Sequence, residues 1–292
     1  MSLPTVVPAF IAPALFVLVW STGFVVARAI DGVADPNLFL FARFVSTTVL
    51  FALIARATGA AWPARAQWPL HLVAGGLLQG VYMGGGYWAV AHGLSPAAMA
   101  LLATLQPVVT ALIARRLFGE SVSRRFWPGA LAGAIGVALV LAPRLSAVGP
   151  DALSPWAVGV ALLSVAAITA GTLVQKTSLA ASDLFAASSI QNAGGALVCG
   201  CAALLLGESL WVPGSALWGA LAWAVFGLSA VGSTLLVWMV RRGSAARVTV
   251  LVLLAPPLAA VQAALLFGER LDAVQMAGFA LTLAGVLLCR RS

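Results

Sequence analysis

The sequence predicts an all-α integral membrane protein: ten transmembrane helices, arranged as two inverted-topology five-helix repeats around a central cavity. Three observations predict it. The composition suits lipid, since 62% of the 292 residues are apolar and 8% are charged, whereas a soluble domain carries about a quarter charged residues. Ten apolar runs, each near the roughly 20 residues that cross a hydrocarbon core, follow one another with short breaks. The second half of the chain repeats the first with its basic residues relocated.

The runs fall at roughly 8–29, 37–56, 69–91, 96–117, 126–142, 155–176, 184–206, 216–240, 245–267 and 273–289. Turn-forming pairs separate them, among them Asp31-Gly32, Asp35-Pro36, Trp62-Pro63 and Pro213-Gly214. No break has room for a soluble domain. The first run lacks a basic leader and exceeds the ~7–15 residues of a signal-peptide core, so it reads as a retained membrane anchor. Basic residues set the orientation. Alternate connections gather Arg56, Arg65, Arg115, Arg116, Arg124, Arg125, Lys176, Arg241, Arg242, Arg247, Arg290 and Arg291 on one side. Only Arg28, Arg144 and Arg270 fall on the other, with Arg43 inside span two. The richer side belongs in the cytoplasm, and both termini with it. The net charge of +8 is therefore a topology signal rather than a nucleic-acid surface. Abundant Arg and Ala point to a bacterial, high-GC source, hence an inner (plasma) membrane. The three cysteines (Cys199, Cys201, Cys289) lie in apolar runs with no metal-ligand or disulfide spacing.

A shift of 149 positions places residues 102–139 on 251–288 without a gap. Pro107, Phe118, Gly119 and Glu120 then meet Pro256, Phe267, Gly268 and Glu269, and Gly129 and Gly136 meet Gly278 and Gly285. A one-residue gap extends the match so that Trp88 meets Trp238. Each copy has five spans, an odd number, so the second enters the membrane upside down. The arginines agree: Arg115, Arg116, Arg124 and Arg125 map onto Ala264, Leu265, Ala273 and Val274. The expected repeats are 8–142 and 155–290, with substrate near the midplane between them, as in secondary transporters.

These features carry a family resemblance. Gly-Glu follows spans four and nine, each of which holds a proline; Trp20 to Phe24 reads W-S-T-G-F, and Pro36 to Arg43 opens span two as P-N-L-F-L-F-A-R. Together they resemble the EamA-type exporters of the drug/metabolite transporter superfamily, and within it the YddG-type amino acid exporters. The resemblance covers nearly the whole chain. It implies a ten-helix basket with a central cavity, and export of amino acids or related metabolites.

Polar groups within spans are costly, so each should face the interior or a cavity. In span one, Trp20 and Ser21 sit at mid-depth, where tryptophan cannot serve the interfacial belt. In span two, Arg43 either snorkels outward or pairs with Asp31 or Asp35, or else it holds a substrate carboxylate or gates the outer mouth. In span three, Gln79 and Tyr82 share one helix face, with Met83 beside them. In spans four and nine, Gln106-Pro107 and Pro256-Pro257 occupy matched midpoints, and Gln106 joins Trp20, Ser21, Gln79, Tyr82 and Met83 as a candidate substrate contact. These prolines are hinge candidates, with a packing kink as the plain alternative. In span seven, the amides Gln191 and Asn192 contact either substrate or another helix. Gly80 with Gly84, and Gly129 with Gly133, are small-xxx-small pairs that serve close packing within the chain or a homodimer.

No Asp or Glu lies near the middle of a span, so a carboxylate proton relay has no candidate. No Walker motif is present, and no cofactor or metal is expected. An intramembrane enzyme would need a nucleophile and a base at one depth, and His71 and His92 lie at opposite ends of span three. A channel would need a ring of charge. The expectation is a non-enzymatic secondary transporter, exporting neutral amino acids by alternating access. Hydrophobic drugs, nucleotide sugars and lipids are the alternative cargoes.

Overall fold

The computed structural model describes residues 11–106, 108–110, 113, 116, 126–145, 153–178, 182–235, 239, 252–269 and 271–290. Its helices are α1 (Ile11–Ser21), α2 (Val25–Ala29), α3 (Pro36–Ala57), α4 (Trp68–Gly75), α5 (Tyr82–Ala91), α6 (Pro96–Ala103), α7 (Phe126–Leu145), α8 (Pro155–Ser178), α9 (Leu184–Leu206), α10 (Ser215–Ala222), α11 (Ala255–Phe267) and α12 (Ala273–Arg290). Each of the ten expected spans contains helix. Among the described residues, five stretches are long and apolar enough to cross a membrane unaided: 36–57, 126–143, 155–175, 184–206 and 215–235. Others are interrupted.

The interruptions have local causes. Span one stops at Ser21 and restarts at Val25. Ser21 and Thr22 turn their hydroxyls back onto the Leu18 and Val19 carbonyls at 2.9 and 2.7 Å, a contact that bends helices, and Gly23 follows. Span four turns at Thr104 and Leu105, where Thr104 Oγ1 takes the Leu101 carbonyl at 2.6 Å. Span nine turns at Leu253 and Leu254, ahead of Pro256 and Pro257, which have no N–H for the preceding turn. The 149-residue shift carries Thr104-Leu105 onto Leu253-Leu254, so both repeats break at one place. Pro256 and Pro257 therefore stand in the first turn of α11, not inside a continuous helix; Pro107 lies outside the described residues. Spans three and eight each widen into a π-helix, at Gly76–Val81 and Trp223–Gly232. The one-residue-gapped repeat alignment places the first within the second. π-Bulges inside α-helices are frequent at functional positions.

The packing shows the inversion directly. On α7 and α12, Gly129 lies against the Gly285 carbonyl, and Gly136 against the Gly278 carbonyl. The repeat maps Gly129 onto Gly278 and Gly136 onto Gly285, so each contact is the other's symmetry mate. The pairing runs antiparallel, as a two-fold axis in the membrane plane requires. Helices α3 with α9, and α6 with α11, pack across the same axis. Spans three and seven meet backbone to backbone: a Cβ on Gly75 would lie 1.8 Å from the Gln191 carbonyl oxygen, and one on Gly194 2.2 Å from that of Leu72. Gly80 receives Val198. The Gly80 and Gly129 faces are thus occupied within the chain.

The core runs through both repeats, from Phe24, Phe39, Phe44, Tyr87 and Met99 to Val165, Cys199, Leu217 and Phe279. The outer surface is equally apolar. Leu204, Leu205 and Leu265 are at least 80% exposed, a surface suited to acyl chains rather than water.

Candidate functional site

Three helices converge on the break in span one. Tyr87 on α5 donates its hydroxyl to the Gly23 carbonyl at 2.8 Å. Trp223, opening the second π-segment, donates Nε1 to Thr22 Oγ1 at 2.9 Å. Gln262 on α11 donates Nε2 to Ser21 Oγ at 2.9 Å. Non-helical backbone at membrane depth needs such partners, and here they come from spans three, eight and nine. The wall around them is aromatic. Phe16 packs on Trp20, and Phe24 meets Tyr82 edge-to-face at 5.9 Å.

Two predicted residues offer uncommitted polar groups. Among the described residues, neither the Tyr82 hydroxyl nor the Gln79 amide has a hydrogen-bond partner. Both side chains are half-buried, and neither ends in a sealed orphan atom. Met83 packs beside Tyr82 against the core. The other predicted residues divide between helix interfaces. Gln106 donates to Thr172 Oγ1 at 3.0 Å, tying span four to span six. Gln191 faces His71 Nδ1 at 3.4 Å, and His71 Nε2 faces Ser182. Asn192 donates to the Ser188 carbonyl of its own helix at 2.8 Å.

Arg43 neither snorkels nor pairs with an outer acid. It is buried, and its Nη1 and Nη2 donate to Tyr87 Oη at 3.5 Å and Ser229 Oγ at 3.3 Å. Asp31 and Asp35 are engaged elsewhere: Asp31 pairs with Arg28, and Asp35 accepts the Ser209 and Leu210 N–H groups at 2.8 Å each. Backbone donors in the 207–214 loop claim the carboxylate that linear proximity offers to Arg43.

At one end of the molecule the loops 30–35 and 207–214 are laced together. Ala34 bridges Trp211, and Val212 and Asp35 donate N–H groups to the Val33 and Leu210 carbonyls. The carboxylates of the two loops cross between the repeats. Asp35 occupies the N-cap position of α3, yet its carboxylate caps the other loop. Glu208 of that loop supplies the missing cap, accepting from Leu38 N and Asn37 Nδ2 at 2.9 and 2.7 Å. In the second repeat, Asp183 simply caps its own helix α9. A cavity of about 550 Å³ opens beside this crossed latch, lined by Asp31, Asp35, Trp88, His92 and Glu208.

Sequence reasoning missed Ser229 and Gln262. Both are polar residues within predicted spans, so the depth argument that found Ser21 and Gln79 would have found them. Nothing in the sequence announced the exchanged caps, which depend on the meeting of distant loops.

With this geometry in view, the comparisons are decisive for the family. The sequence matches the EamA-like transporter family twice, over residues 8–142 and 155–291. The chain belongs to the EamA-like transporter family. It is a membrane transporter of small molecules, with the two-repeat fold of the drug/metabolite transporter superfamily. A solved crystal structure of a protein matches with TM-score 0.66 at 20% identity, covering 96% of this chain and 96% of its own; at that identity it speaks for the fold. No curated protein matches the sequence.

Proposed function

We propose that this EamA-family transporter exports amino acids, chiefly neutral ones with aromatic or other apolar side chains, across a bacterial inner membrane. The expected repeats, 8–142 and 155–290, rock about a mid-membrane site beside the break in span one, exposing it to each side in turn. Trp20 and Tyr82 would form its apolar wall, while Ser21, Gln79 and Met83 complete it. The hinge would lie at the matched breaks before Pro107 and before Pro256 and Pro257. Gln106, Gln191 and Asn192 would hold the helices that move. The basic loops favour cytoplasmic termini, which turns the latched, acidic end outward.

The observation that carries this reading is where the carboxylates are. All six acids among the described residues are held at span ends: Asp31 and Glu269 with Arg28, Asp35 and Glu208 in the latch, Asp183 at its own cap, and Asp272 with Gln275. The interior offers aromatic faces, neutral hydrogen-bonding tips and one guanidinium. Such a wall suits a zwitterion with an apolar side chain. It suits a cationic drug poorly, because a buried cation needs an opposite charge.

The test is flux of radiolabelled phenylalanine, threonine and methionine into liposomes holding the purified protein. Saturable uptake of at least one supports the reading. Uptake of none, from protein that remains folded, overturns the cargo and leaves the family assignment intact.

A further inference from the structure

Among the described residues, Arg43 is a charge without a counter-ion. It is 6% exposed, seven residues along α3 from Pro36, or about 10 Å at the helical rise. Arginine stays protonated in proteins, and a buried cation is costly unless an anion meets it. The six described acids are committed at span ends, and neither ion pair among the described residues involves Arg43. Three buried polar atoms among the described residues have no partner: Arg43 Nε, Thr48 Oγ1 and Gln262 Oε1. Only the first belongs to a charged group.

The two contacts Arg43 does make are long and neutral, at 3.5 and 3.3 Å. Both acceptors spend their own protons elsewhere. Tyr87 Oη donates to the Gly23 carbonyl at 2.8 Å, and Ser229 Oγ to the Ala224 carbonyl at 3.1 Å. Each hydroxyl is thereby oriented to offer lone pairs to the guanidinium. They hold it in place without neutralising it. Three helices meet there: α3, α5 and the π-segment of span eight. Tyr87 also links Arg43 to the break in span one.

We infer that Arg43 receives the carboxylate of the cargo. The inference rests on the amino acid reading above and deepens it. A guanidinium presents paired N–H groups that match the two oxygens of a carboxylate. The cargo supplies the negative charge the chain withholds, and it displaces weak contacts to Tyr87 and Ser229. Tyr87, which holds the guanidinium, also packs on Phe24 at 6.2 Å, and Phe24 in turn meets Tyr82. Arg43 thus asks for a carboxylate on the cargo and disfavours a simple amine or an uncharged solute.

The experiment compares phenylalanine with phenylalaninamide, whose carboxylate is replaced by a neutral amide, by binding to purified full-length protein. Wild type is expected to bind the amide about ten- to a hundredfold more weakly, the range for hydrogen bonds to a charged group. Arg43→Gln is expected to lower phenylalanine affinity to near that of the amide, so that the acid-over-amide preference is lost. Retention of the wild-type preference in Arg43→Gln overturns the inference. If Arg43→Gln does not fold, the wild-type comparison decides alone: equal affinity for acid and amide overturns it. Wild-type protein that binds the amide but shows no carboxylate preference fails this inference only. Failure to bind phenylalanine, threonine or methionine at all brings down the cargo reading as well.

Discussion

At the residue scale, what distinguishes the site is polar groups left open. In lipid, an unbonded hydroxyl costs free energy unless water or cargo reaches it. Tyr82 keeps such a hydroxyl while its ring packs edge-to-face on Phe24. Tyr82→Phe keeps the ring and removes the open group. We therefore expect thermal stability in detergent to hold while the KM for amino acid flux rises several-fold. A large fall in stability with unchanged KM would make the hydroxyl structural. Tyr82, Trp20 and Ser21 were legible in the sequence because depth alone singles them out. Arg43 was legible as a charge in a span, but its surroundings were not. Asp35 lies only eight residues away in the chain, yet its carboxylate serves Ser209 and Leu210 across the molecule.

At the element scale, each of the ten apolar runs holds helix among the described residues, because hydrophobic length is a property of composition. The interruptions were half-legible. Prolines marked the neighbourhood of the span nine break, and the adjacent Ser21 and Thr22 lie at that in span one. The π-segments at Gly76–Val81 and Trp223–Gly232 had no sequence signal. They depend on what neighbouring helices press against them. Gly195 is one such neighbour, since a Cβ there would lie 2.5 Å from the Gln79 Cβ. Close packing of spans three and seven rests on glycine, and Gly194→Ala tests it. Its new methyl would strike the Leu72 carbonyl, which is backbone and cannot swing away. We expect destabilisation of about 1–3 kcal/mol, seen as an earlier thermal transition in detergent. An unchanged transition would mean that the two helices separate freely.

At the scale of the whole molecule, symmetry is present and locally broken. The glycine contacts of α7 and α12 obey the two-fold relation. The crossed caps of Asp35 and Glu208 do not, because their counterpart Asp183 caps its own helix. One end is therefore latched between the repeats, whereas Asp183, on the side of the other end, makes only its own helix cap. Glu208→Gln weakens the acceptor for Asn37 and Leu38 and should loosen that end. Leu40, fully buried below it, is the reporter. In a background without the native cysteines, Leu40→Cys should react faster with a water-soluble thiol reagent when Glu208→Gln is added. An unchanged rate would show that the caps do not restrain opening. The doubling and inversion were readable from aligned residues and from arginines that changed sides. The latch was not, because it joins loops some 170 residues apart.

The most direct test of the central claim is trans-stimulation in liposomes with no pH gradient. Vesicles preloaded with unlabelled phenylalanine should take up labelled phenylalanine several-fold faster than empty ones, because an alternating site returns sooner when loaded. Uptake that is linear in concentration and indifferent to preloading would contradict alternating access. Uptake that appears only with an imposed pH gradient would contradict a carrier working without a carboxylate relay.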